Sequence, residues 1–572
     1  MLSRLSRSLL RPSQLKGSVS TLPSVFRSSY CSACDSKAIP GASNNGQPSS
    51  QHRIPKASNA PADHRQLAID QELFTTSPYS PGSPLFLPNG TRMFNKLTNY
   101  LRSQYTDYGF DEVITPTIYK KSLWEKSGHW ENYKDDMFAV MARGEPDTTQ
   151  LSHEGGTQTA EDEEFGLKPM NCPGHCLLFA SKQRSFRDLP IRYADFSPLH
   201  RNEISGALSG LTRVRRFHQD DGHIFCRPSQ VSAEISETLR FIKTTYETFN
   251  LGPYRLALST RPETGYIGEL QDWERAEGAL REALDSSGQS WTLNPGDGAF
   301  YGPKIDIILK DSDGKEHQAA TIQLDFQLPN RFDLKYMAPA PGLEQVGELT
   351  TDPEMLATQG PVRPVMIHRA VLGSVERFMA LLIEHYNGRY PFWLNPRQVM
   401  LITVSDDPTV VSYANEVKAI LQDRSRNSKY HESIRGFTAQ NTSHVIPDAN
   451  FASGHTAFAI DVDTSPRSVS KKVAEAKRNH YGMVIVVGKK DVAEKGKLKV
   501  DMSGIPHDAR GIFKHIIHSS VISSSPMSDH GEDGQSTGKG SASDFDTIAM
   551  HNLRLDVEEL RDTMRAIERA YV

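Results

Sequence analysis

Residues 200–225 have the sequence HRNEISGALSGLTRVRRFHQDDGHIF, and no other segment of the chain is as informative. Four arginines lie in it, together with Phe217, Asp221 and His223. Guanidinium groups bind phosphate, an aromatic face stacks on a base, and a carboxylate pairs with an amine. This combination predicts that a nucleotide and a small zwitterion bind side by side. The alternative is a solvated hairpin, because charge-rich turns are common.

The composition of the 572-residue chain predicts a globular protein of about two to four domains. Its hydrophobic content is 37% and its mean hydropathy is −0.50. No run approaches the roughly 18 apolar residues of a membrane span, so we expect no membrane partner. A net charge of −4 requires any nucleic-acid-binding groups to be local. Five cysteines in so long a chain predict free thiols or metal ligands in a reducing compartment.

The first 34 residues are basic, rich in serine and free of acidic residues. Leu2, Leu5 and Leu9 can share one helical face. Such a segment predicts a mitochondrial transit peptide at residues 1–34, and therefore a protein of the mitochondrial matrix. The alternative is a disordered tail. Residues 35–61 are rich in Ser, Asn, Pro and Gly, which predicts a linker.

The remaining chain divides by its patterns of strands and helices. Residues 62–395 predict one large domain, with an acidic insertion loop at 141–166. Strands alternate with helices over 396–518, which predicts a small α/β domain with an irregular loop at 423–454. A disordered linker at 519–543 precedes a terminal helix at 544–572. Its heptad seam predicts either a helix docked on its own chain or a contact with a partner or second copy.

Three segments follow one another along the chain: GFDEVITP (109–116), the segment 200–225 and PVMIHRAVLGSVERF (364–378). They resemble motifs 1, 2 and 3 of the class II aminoacyl-tRNA synthetases. Further segments resemble the threonyl-tRNA synthetase family in particular: LWEKSGHWENYKDDMF (123–138), KPMNCPGH (168–175), FYGPKID (300–306) and TIQLDF (321–326). The resemblance implies an α+β fold, with an antiparallel sheet and flanking helices followed by an α/β anticodon-binding domain. It also implies a homodimer, since motif 1 with Pro116 builds the interface in that family.

Amino-acid activation is the attack of a carboxylate on the α-phosphate of ATP, and preorganised cations stabilise the developing charge. The resemblance implies that Arg201 and Arg377 are catalytic. Arg377 lies in the first turn of its predicted helix, where the helix N-terminus also favours phosphate. The alternatives are a surface ion pair for Arg377 and a plain core role for Phe217. We expect Mg²⁺ to accompany ATP. The resemblance implies that the ATP-binding residues are Arg201, Glu203, Arg213, Phe217, Gln323 and Arg377.

A metal site is not evident from the spacing of the residues. A lone histidine beside a strand is usually a hydrogen-bonded core residue, and His175 and Cys176 compete locally with Cys172 as ligands. The resemblance implies one Zn²⁺ per subunit, held by Cys172, His223 and His368, which takes the amino group and hydroxyl of threonine. Valine lacks that hydroxyl, and an apolar pocket alone separates isosteres poorly. The predicted threonine-binding residues are Gln219, Asp221, Tyr301, Gln318 and Thr321.

Two features depart from the family pattern. Ala319-Ala320 replaces the expected Cys-Gly beside the pocket, and DTSPR (463–467) replaces a D-x-R-N-like segment before a basic helix. That helix predicts a tRNA phosphate contact, or else a solvated basic face. We also expect slow serine activation, because serine keeps the hydroxyl. No editing domain is evident before residue 62, so we expect no hydrolysis at a separate site of this chain. The candidate tRNA-binding residues are Arg467, Lys471, Lys472, Lys477 and Arg478.

The expected function is that of a mitochondrial threonine–tRNA ligase with the partners ATP, L-threonine and tRNA(Thr). One rival is a catalytically inactive synthetase-like protein that binds RNA or a regulatory partner. Another is a related class II ligase for proline or serine. The presence of both motif arginines and of the Cys-His-His set favours the first hypothesis over both rivals.

Overall fold

A computed structural model describes residues 62–141, 164–310, 314, 316–422, 457–506, 516 and 553–571. Several sequence predictions therefore lie outside the described residues: the transit peptide 1–34, the linker 35–61, most of the insertion 141–166, the loop 423–454 and the linker 519–543. Within the described part of the chain, no helix is both long enough and apolar enough to cross a bilayer.

The described strands are short and mostly paired with neighbours far away in sequence. They are β1 Phe74–Thr75, β2 Leu85–Phe86, β3 Asp111–Glu112, β4 Ile118–Lys120, β5 Ala139–Val140, β6 Phe165–Leu167, β7 Ile191–Asp195, β8 Pro198–His200, β9 Arg216–His218, β10 Asp221–Cys226, β11 Arg255–Ser259, β12 Trp291–Asn294, β13 Lys304–Lys310, β14 Glu316–Asp325, β15 Tyr336–Pro339, β16 Gln359–Val362, β17 Val365–Ala370, β18 Val399–Thr403, β19 Ile460–Asp463, β20 Met483–Val487, β21 Leu498–Asp501 and β22 Leu553–Leu555.

The described α-helices surround two separate sheets. They are α1 His64–Asp70, α2 Pro88–Asp107, α3 Lys121–Ser127, α4 His129–Tyr133, α5 Cys172–Ala180, α6 Val231–Thr248, α7 Leu270–Ser286, α8 Gln327–Arg331, α9 Pro341–Val346, α10 Pro353–Ala357, α11 Val375–His385, α12 Pro408–Gln422, α13 Val469–Arg478, α14 Lys489–Glu494 and α15 Val557–Arg569.

The first domain is built on an eight-stranded sheet with the order β12-β11-β13-β14-β17-β10-β7-β3. All neighbouring pairs are antiparallel except β11 with β12 and β3 with β7. Helices α2, α6, α7 and α11 bury their apolar faces in one core with this sheet. The predicted antiparallel sheet with flanking helices is confirmed.

Helix α2 begins at Pro88, with Leu87 as its N-cap residue. Proline suits the first helical turn, because its missing N–H has no partner there in any case. Met93, Leu97 and Leu101 lie on one face of α2 and are fully buried, as their spacing predicts.

The second domain has a five-stranded sheet with the order β19-β18-β20-β21-β22. β18 pairs in parallel with β19 and β20, while β21 pairs in antiparallel with β20 and β22. Residues 544–572 are predicted to form a separate helix after this domain. The structure instead makes β22 the edge strand of the sheet and buries Leu560, Met564 and Ile567 of α15 in the domain core. The heptad seam therefore docks on its own chain.

The end of α15 also contacts the first domain. The ring of Tyr571 lies 5.0 Å from that of Tyr100 on α2 and 5.2 Å from that of Trp393. Lys96 on α2 donates from Nζ to the Trp393 carbonyl at 2.5 Å and lies 3.5 Å from Glu568 of α15. One terminal helix thus belongs to the core of the second domain and is bound to the first.

Candidate active site

The register of three neighbouring strands assembles a buried cluster of metal-ligating side chains. His223 on β10 lies directly opposite His368 on β17, and Gln323 on β14 lies opposite His368 on its other side. Cys172 begins α5, which lies against this face of the sheet. The Cys172 sulfur and one ring nitrogen of each histidine all lie within 4.8 Å of one another. These three residues could hold a metal ion.

Each histidine of the cluster uses its other ring nitrogen for a buried partner. The His368 Nε2 lies 2.8 Å from the Asp325 carboxylate, which leaves Nδ1 facing Nε2 of His223 at 2.9 Å. The His223 Nδ1 lies 2.7 Å from Nδ1 of His175. Burial, with the nearby rings of His368 and His175, holds the pKa of His223 well below its ordinary value. The ring is therefore neutral, the state in which imidazole binds a metal.

The structure separates the competing ligands that the sequence left open. Cys176 packs in the apolar cluster beneath α5, with its sulfur 3.9 Å from that of Met366. His175 contacts His223 from behind, on the side away from His368. Cys172, and neither of these two residues, thus completes the cluster with His223 and His368.

The predicted threonine-binding residues surround this cluster. Asp221 lies two residues before His223 on β10, so their side chains share one face of the sheet. Its carboxylate accepts a hydrogen bond from Asn171 at 3.1 Å. Tyr301 donates to the Gln323 amide oxygen at 2.5 Å, and its ring lies 5.2 Å from that of His368.

Asp306 joins two further pocket residues. It accepts hydrogen bonds from the Gln318 amide and, at 3.5 Å, from the Thr321 hydroxyl. Its other oxygen accepts from Lys304 at 2.6 Å and from Ser259 at 2.8 Å. Asp306 therefore orients this wall of the pocket. Gln219, the remaining predicted residue, lies half-buried in the link between β9 and β10.

The predicted ATP-binding arginines converge beside the cluster. Arg377 donates from Nε to the Thr212 carbonyl of the 200–225 segment at 3.1 Å. Burial lowers the pKa of Arg377, and the charges of Arg201 and Arg213 add to that effect. Among the described residues, neither Arg201 nor Arg377 has a carboxylate within 4.0 Å. Arg201 and Arg377 are half-buried, and cations that lie together without a carboxylate partner form a site for an anion.

Phe217, Glu203 and Arg213, which also belong to the predicted ATP-binding set, lie in the 200–225 segment. Phe217 on β9 is buried, and the Arg201 guanidinium lies 5.1 Å from its ring centre. Glu203 accepts from Arg213 at 2.8 Å, so these two residues form an ion pair in this structure. The core role and the base-stacking role of Phe217 are compatible with this position, because its ring contacts both Leu199 and Arg201.

Asp220, a residue of the 200–225 segment for which no role is predicted, holds the turn between β17 and α11. Its buried carboxylate accepts from the backbone N–H groups of Val371 at 2.7 Å and Leu372 at 3.0 Å. Ser374 then caps α11 by accepting from the Arg377 N–H at 3.1 Å. These bonds set the direction of the first turn of α11, and hence the position of the Arg377 side chain.

Sequence patterns assign no role to Asn171, Asp195, Asp306 and Asp325, and they indicate His175 only as a competing metal ligand. Four of them lie within quoted family segments: Asn171 and His175 in KPMNCPGH, Asp306 in FYGPKID and Asp325 in TIQLDF. The family segments therefore indicate the region of the site, but the sequence alone does not show which of their polar residues faces the metal ligands. Asp195 lies outside those segments, and only the hydrogen bonds reveal it.

The basic helix α13 of the second domain differs from its prediction at one residue. Lys471, Lys477 and Arg478 are exposed, but Lys472 is buried and donates to the carbonyl groups of Thr403 at 2.9 Å and Asp463 at 3.2 Å. Lys472 is therefore wrongly placed in the tRNA-binding set, because its ammonium group is committed to the sheet. Arg467 is exposed and pairs with Asp463 at 2.9 Å and with Glu475.

Comparison with known proteins places this architecture. The family model described as tRNA synthetase class II core domain (G, H, P, S and T) matches residues 156–386. The probable mitochondrial threonine–tRNA ligase of Schizosaccharomyces pombe is 46% identical over 430 residues, which are 75% of this chain and 82% of that protein. The mitochondrial threonine–tRNA ligase of Saccharomyces cerevisiae is 47% identical over 432 residues, covering 74% of this chain and 82% of that protein.

A solved structure agrees with these relatives. The crystal structure described as the RNA binding domain of threonyl-tRNA synthetase from Cryptosporidium parvum has 40% sequence identity and a TM-score of 0.61, covering 78% of this chain and 94% of that one. The sheet, its motif residues and the core match define a class, the class II aminoacyl-tRNA synthetases. Within that class, the chain belongs to the threonyl-tRNA synthetase family. The predicted family, fold class and enzyme class are confirmed.

Proposed function

We propose that this enzyme is a mitochondrial threonine–tRNA ligase, which forms threonyl-adenylate from threonine and ATP and then transfers the threonyl group to tRNA(Thr). The names of its fungal relatives support this assignment. The observation that carries it is the cluster of Cys172, His223 and His368 beside Arg201 and Arg377, which have no carboxylate within 4.0 Å among the described residues. Amino-acid recognition and phosphate recognition lie next to each other, as the reaction requires.

The cluster fits one zinc ion. One thiolate and two imidazoles are common zinc ligands, and three protein ligands leave a coordination position open. The orienting partners of the two histidines, Asp325 and His175, are of the kind that support metal ligands. Zinc bound there would supply a Lewis-acidic position for the amino group and hydroxyl of threonine. Asp221 would accept hydrogen bonds from both groups, since its side chain lies on the same face of the sheet as that of His223.

In adenylate formation, a threonine carboxylate oxygen attacks the α-phosphorus of Mg²⁺-bound ATP and pyrophosphate leaves. Arg201 and Arg377 would hold the α-phosphate oxygens and stabilise the charge that builds on them. Phe217 would stack on adenine, and Glu203 and Arg213 would separate to contact the nucleotide. In the second step, a hydroxyl of the terminal ribose of the tRNA attacks the threonyl carbonyl and AMP leaves.

ATP–pyrophosphate exchange with threonine, serine and valine tests this function. We expect fast exchange with threonine, slower exchange with serine and almost none with valine, because serine retains the hydroxyl and valine does not. His223→Ala should lose both zinc and threonine-dependent exchange while its circular dichroism stays unchanged. Equal rates with valine and threonine, or full activity of a metal-free enzyme, would contradict the proposal.

We also propose a homodimer formed along the edge strand β3. Ile114 follows this strand and is 85% exposed, and Ile118 beyond Pro116 is 47% exposed. An edge strand next to exposed apolar side chains is a ready interface. Light scattering should give twice the chain mass for the wild type and for the control Leu349→Arg, but less for Ile114→Arg. A monomeric wild type would refute this arrangement.

Residues 1–34 are proposed to direct the enzyme to the mitochondrial matrix. Two relatives that are similar over most of the chain are named mitochondrial. A fusion of residues 1–50 to a fluorescent protein should enter mitochondria, and cytosolic retention would contradict import.

On α13 and the segment before it, Arg467, Lys471, Lys477 and Arg478 are proposed to contact tRNA phosphates, next to a cavity of about 420 Å³ lined by Ser465 and Asn479.

A further inference from the structure

We propose that His175 and Asp195 are positioning residues for the ligand His223, in a buried chain that runs from the metal cluster to the loop before Pro116. This inference rests on the metal site of the proposed function. Both side chains are fully buried, and the reaction outlined above uses neither of them. Asp195 ends β7, the strand next to β10, so it reaches His223 only through His175.

Helix α5 presents a ligand and its support on one face. Cys172 and His175 are three residues apart on α5, and such residues are neighbours on a helix surface. The His175 ring lies almost perpendicular to that of His223, at 85°, with 2.7 Å between their Nδ1 atoms. A single helix therefore places the sulfur in the cluster and an imidazole behind the second ligand.

The proton arrangement along the chain follows from metal ligation. A neutral imidazole that offers Nε2 to a metal carries its proton on Nδ1, so His223 would donate to Nδ1 of His175. His175 then carries its own proton on Nε2, which faces Oδ2 of Asp195 at 3.7 Å. The 2.7 Å contact thus fixes the tautomers of both rings, and the Asp195 carboxylate attracts the Nε2 proton of His175 across 3.7 Å without a direct hydrogen bond.

Asp195 is itself held from several sides. It accepts hydrogen bonds from the N–H of Thr115 at 3.1 Å, from the Thr115 hydroxyl at 2.7 Å and from the Ser197 N–H at 2.8 Å. The Lys168 ammonium lies 3.8 Å away. Burial alone would raise the pKa of Asp195, but the nearby His175 imidazole, the hydrogen bonds from Ser197 and the charge of Lys168 outweigh it and lower the pKa. The terminal group of the chain is therefore an ionised carboxylate that is held by Thr115 and Ser197.

The two histidine ligands thus differ in how they are oriented. His368 Nε2 lies 2.8 Å from its carboxylate, Asp325, whereas the nearest partner of His223 Nδ1 is the imidazole of His175 at 2.7 Å, and the Asp221 carboxylate lies farther away, at 3.7 Å. Because Asp195 also binds Thr115, the orientation of His223 depends on the loop that leads into Pro116. Partners of this kind typically change metal affinity by about 10- to 100-fold when they are removed.

Two substitutions of His175 separate orientation from packing. His175→Ala removes the acceptor for His223, whereas His175→Asn keeps an amide oxygen close to the position of Nδ1. In the full-length protein, chelator competition should show zinc binding weakened about 10- to 100-fold in His175→Ala and largely restored in His175→Asn. The cobalt-substituted proteins should show altered visible absorption bands in the alanine variant alone.

His64→Asn is the matched control. His64 is also a buried histidine with a carboxylate partner, Glu384, at 2.7 Å, but it lies between α1 and α11. This variant should lower the melting temperature and leave unchanged the absorption bands of cobalt bound by the Cys172 thiolate. Asp63, His64 and Glu384 could also hold a metal ion, but they offer no sulfur ligand, so their bands are distinct. If His175→Ala does not fold, Asp195→Asn supplies the same test with an unchanged side-chain volume and should weaken zinc binding several-fold relative to the wild type.

The possible outcomes distinguish this inference from the proposed function. A wild-type protein that binds no zinc refutes the metal site itself. A wild type that binds zinc, with a folded His175→Ala variant of equal affinity and unchanged cobalt spectrum, refutes the positioning role alone. Equal losses in His175→Ala and His175→Asn would show that the ring matters only for packing, and that result also overturns the inference.

Discussion

The catalytic sheet and the basic helix α13 place their candidate functional groups in opposite ways. In the sheet, Cys172, His223 and His368 are distant in sequence but their ligand atoms lie within 4.8 Å. On α13, Lys471 and Lys472 are adjacent, yet one is exposed and the other is buried against the second sheet. Strand register decides which residues meet in the first case, and the rotation of a helix decides it in the second. In both regions, therefore, the distance between two residues in the sequence does not indicate whether they share a function.

The two regions also differ in how their charges are balanced. Within the described residues, Arg201 and Arg377 have no carboxylate within 4.0 Å, whereas Arg467 and Lys477 of the second domain already form ion pairs with Asp463, Glu475 and Asp501. Exposed pairs of this kind are worth about 0–1 kcal/mol. We therefore expect single substitutions to have large effects on catalysis in the sheet and small, salt-dependent effects on tRNA binding at the helix.

The largest effect is expected from Arg377→Ala. This change removes a preorganised cation from the place where charge develops, so adenylate formation should slow by about 10²- to 10³-fold. Stopped-flow or quenched-flow measurement of the activation step checks it. Arg102→Ala, which breaks an exposed ion pair with Glu112, is the control and should leave the rate unchanged. A loss of less than tenfold would remove Arg377 from the proposed mechanism.

Asp220→Asn should have an effect that depends on pH. Burial raises the pKa of Asp220 to about 6, against the opposing hydrogen bond from the Leu372 N–H, the charge of Arg369 and the hydrogen bond from the Val371 N–H. Because the pKa is higher in the folded chain than in the unfolded chain, the protonated carboxyl stabilises the fold fully below about pH 4, and this contribution is lost as the pH rises through 6.

The variant has no titrating group at position 220 and serves as the reference for this contribution. The difference in unfolding free energy, wild type minus Asp220→Asn, should fall by up to about 3 kcal/mol between pH 4 and pH 7. Denaturant titrations at several pH values measure it. A difference that grows with pH would show that the carboxylate form is the better fit to the turn.

Lys472→Met and Lys471→Met divide the basic helix into a structural and a binding part. Loss of the Lys472 ammonium leaves two buried carbonyl groups without their donor, which should cost about 1–3 kcal/mol of unfolding free energy. Lys471→Met should keep the melting temperature but weaken tRNA binding and lower the salt dependence of log Kd by about one unit. The opposite assignment of the two effects would contradict the structure of α13.

Tyr571→Ala should have the smallest effect, because it loosens only the contact between the two regions. Loss of its ring contacts with Tyr100 and Trp393 should raise KM for tRNA by about three- to tenfold. ATP–pyrophosphate exchange should stay unchanged, since the active site lies in the first domain. Tyr79→Ala, at a 97% exposed tyrosine, is the control. A loss of exchange activity would show instead that the terminal helix supports the catalytic sheet.

Much of the architecture is predictable from the sequence because its signals are local. The run MVIVV predicts strand β20 with the bounds that the structure has, residues 483–487. The residues of the metal cluster are predictable only through their resemblance to a family, since no spacing rule joins Cys172 to His368. The role of His175 is not predictable, because its distance from His223 depends on how α5 packs on the sheet. Burial of Lys472 depends likewise on tertiary packing.

The most direct test of the central claim is a titration of the cobalt-substituted enzyme with threonine and with valine. The claim is that a metal held by Cys172, His223 and His368 contacts the substrate hydroxyl. The visible absorption bands of the cobalt ion should therefore shift and saturate with threonine and stay unchanged with valine. Identical spectra with both amino acids, or a protein that binds no metal at the cluster, would contradict the account.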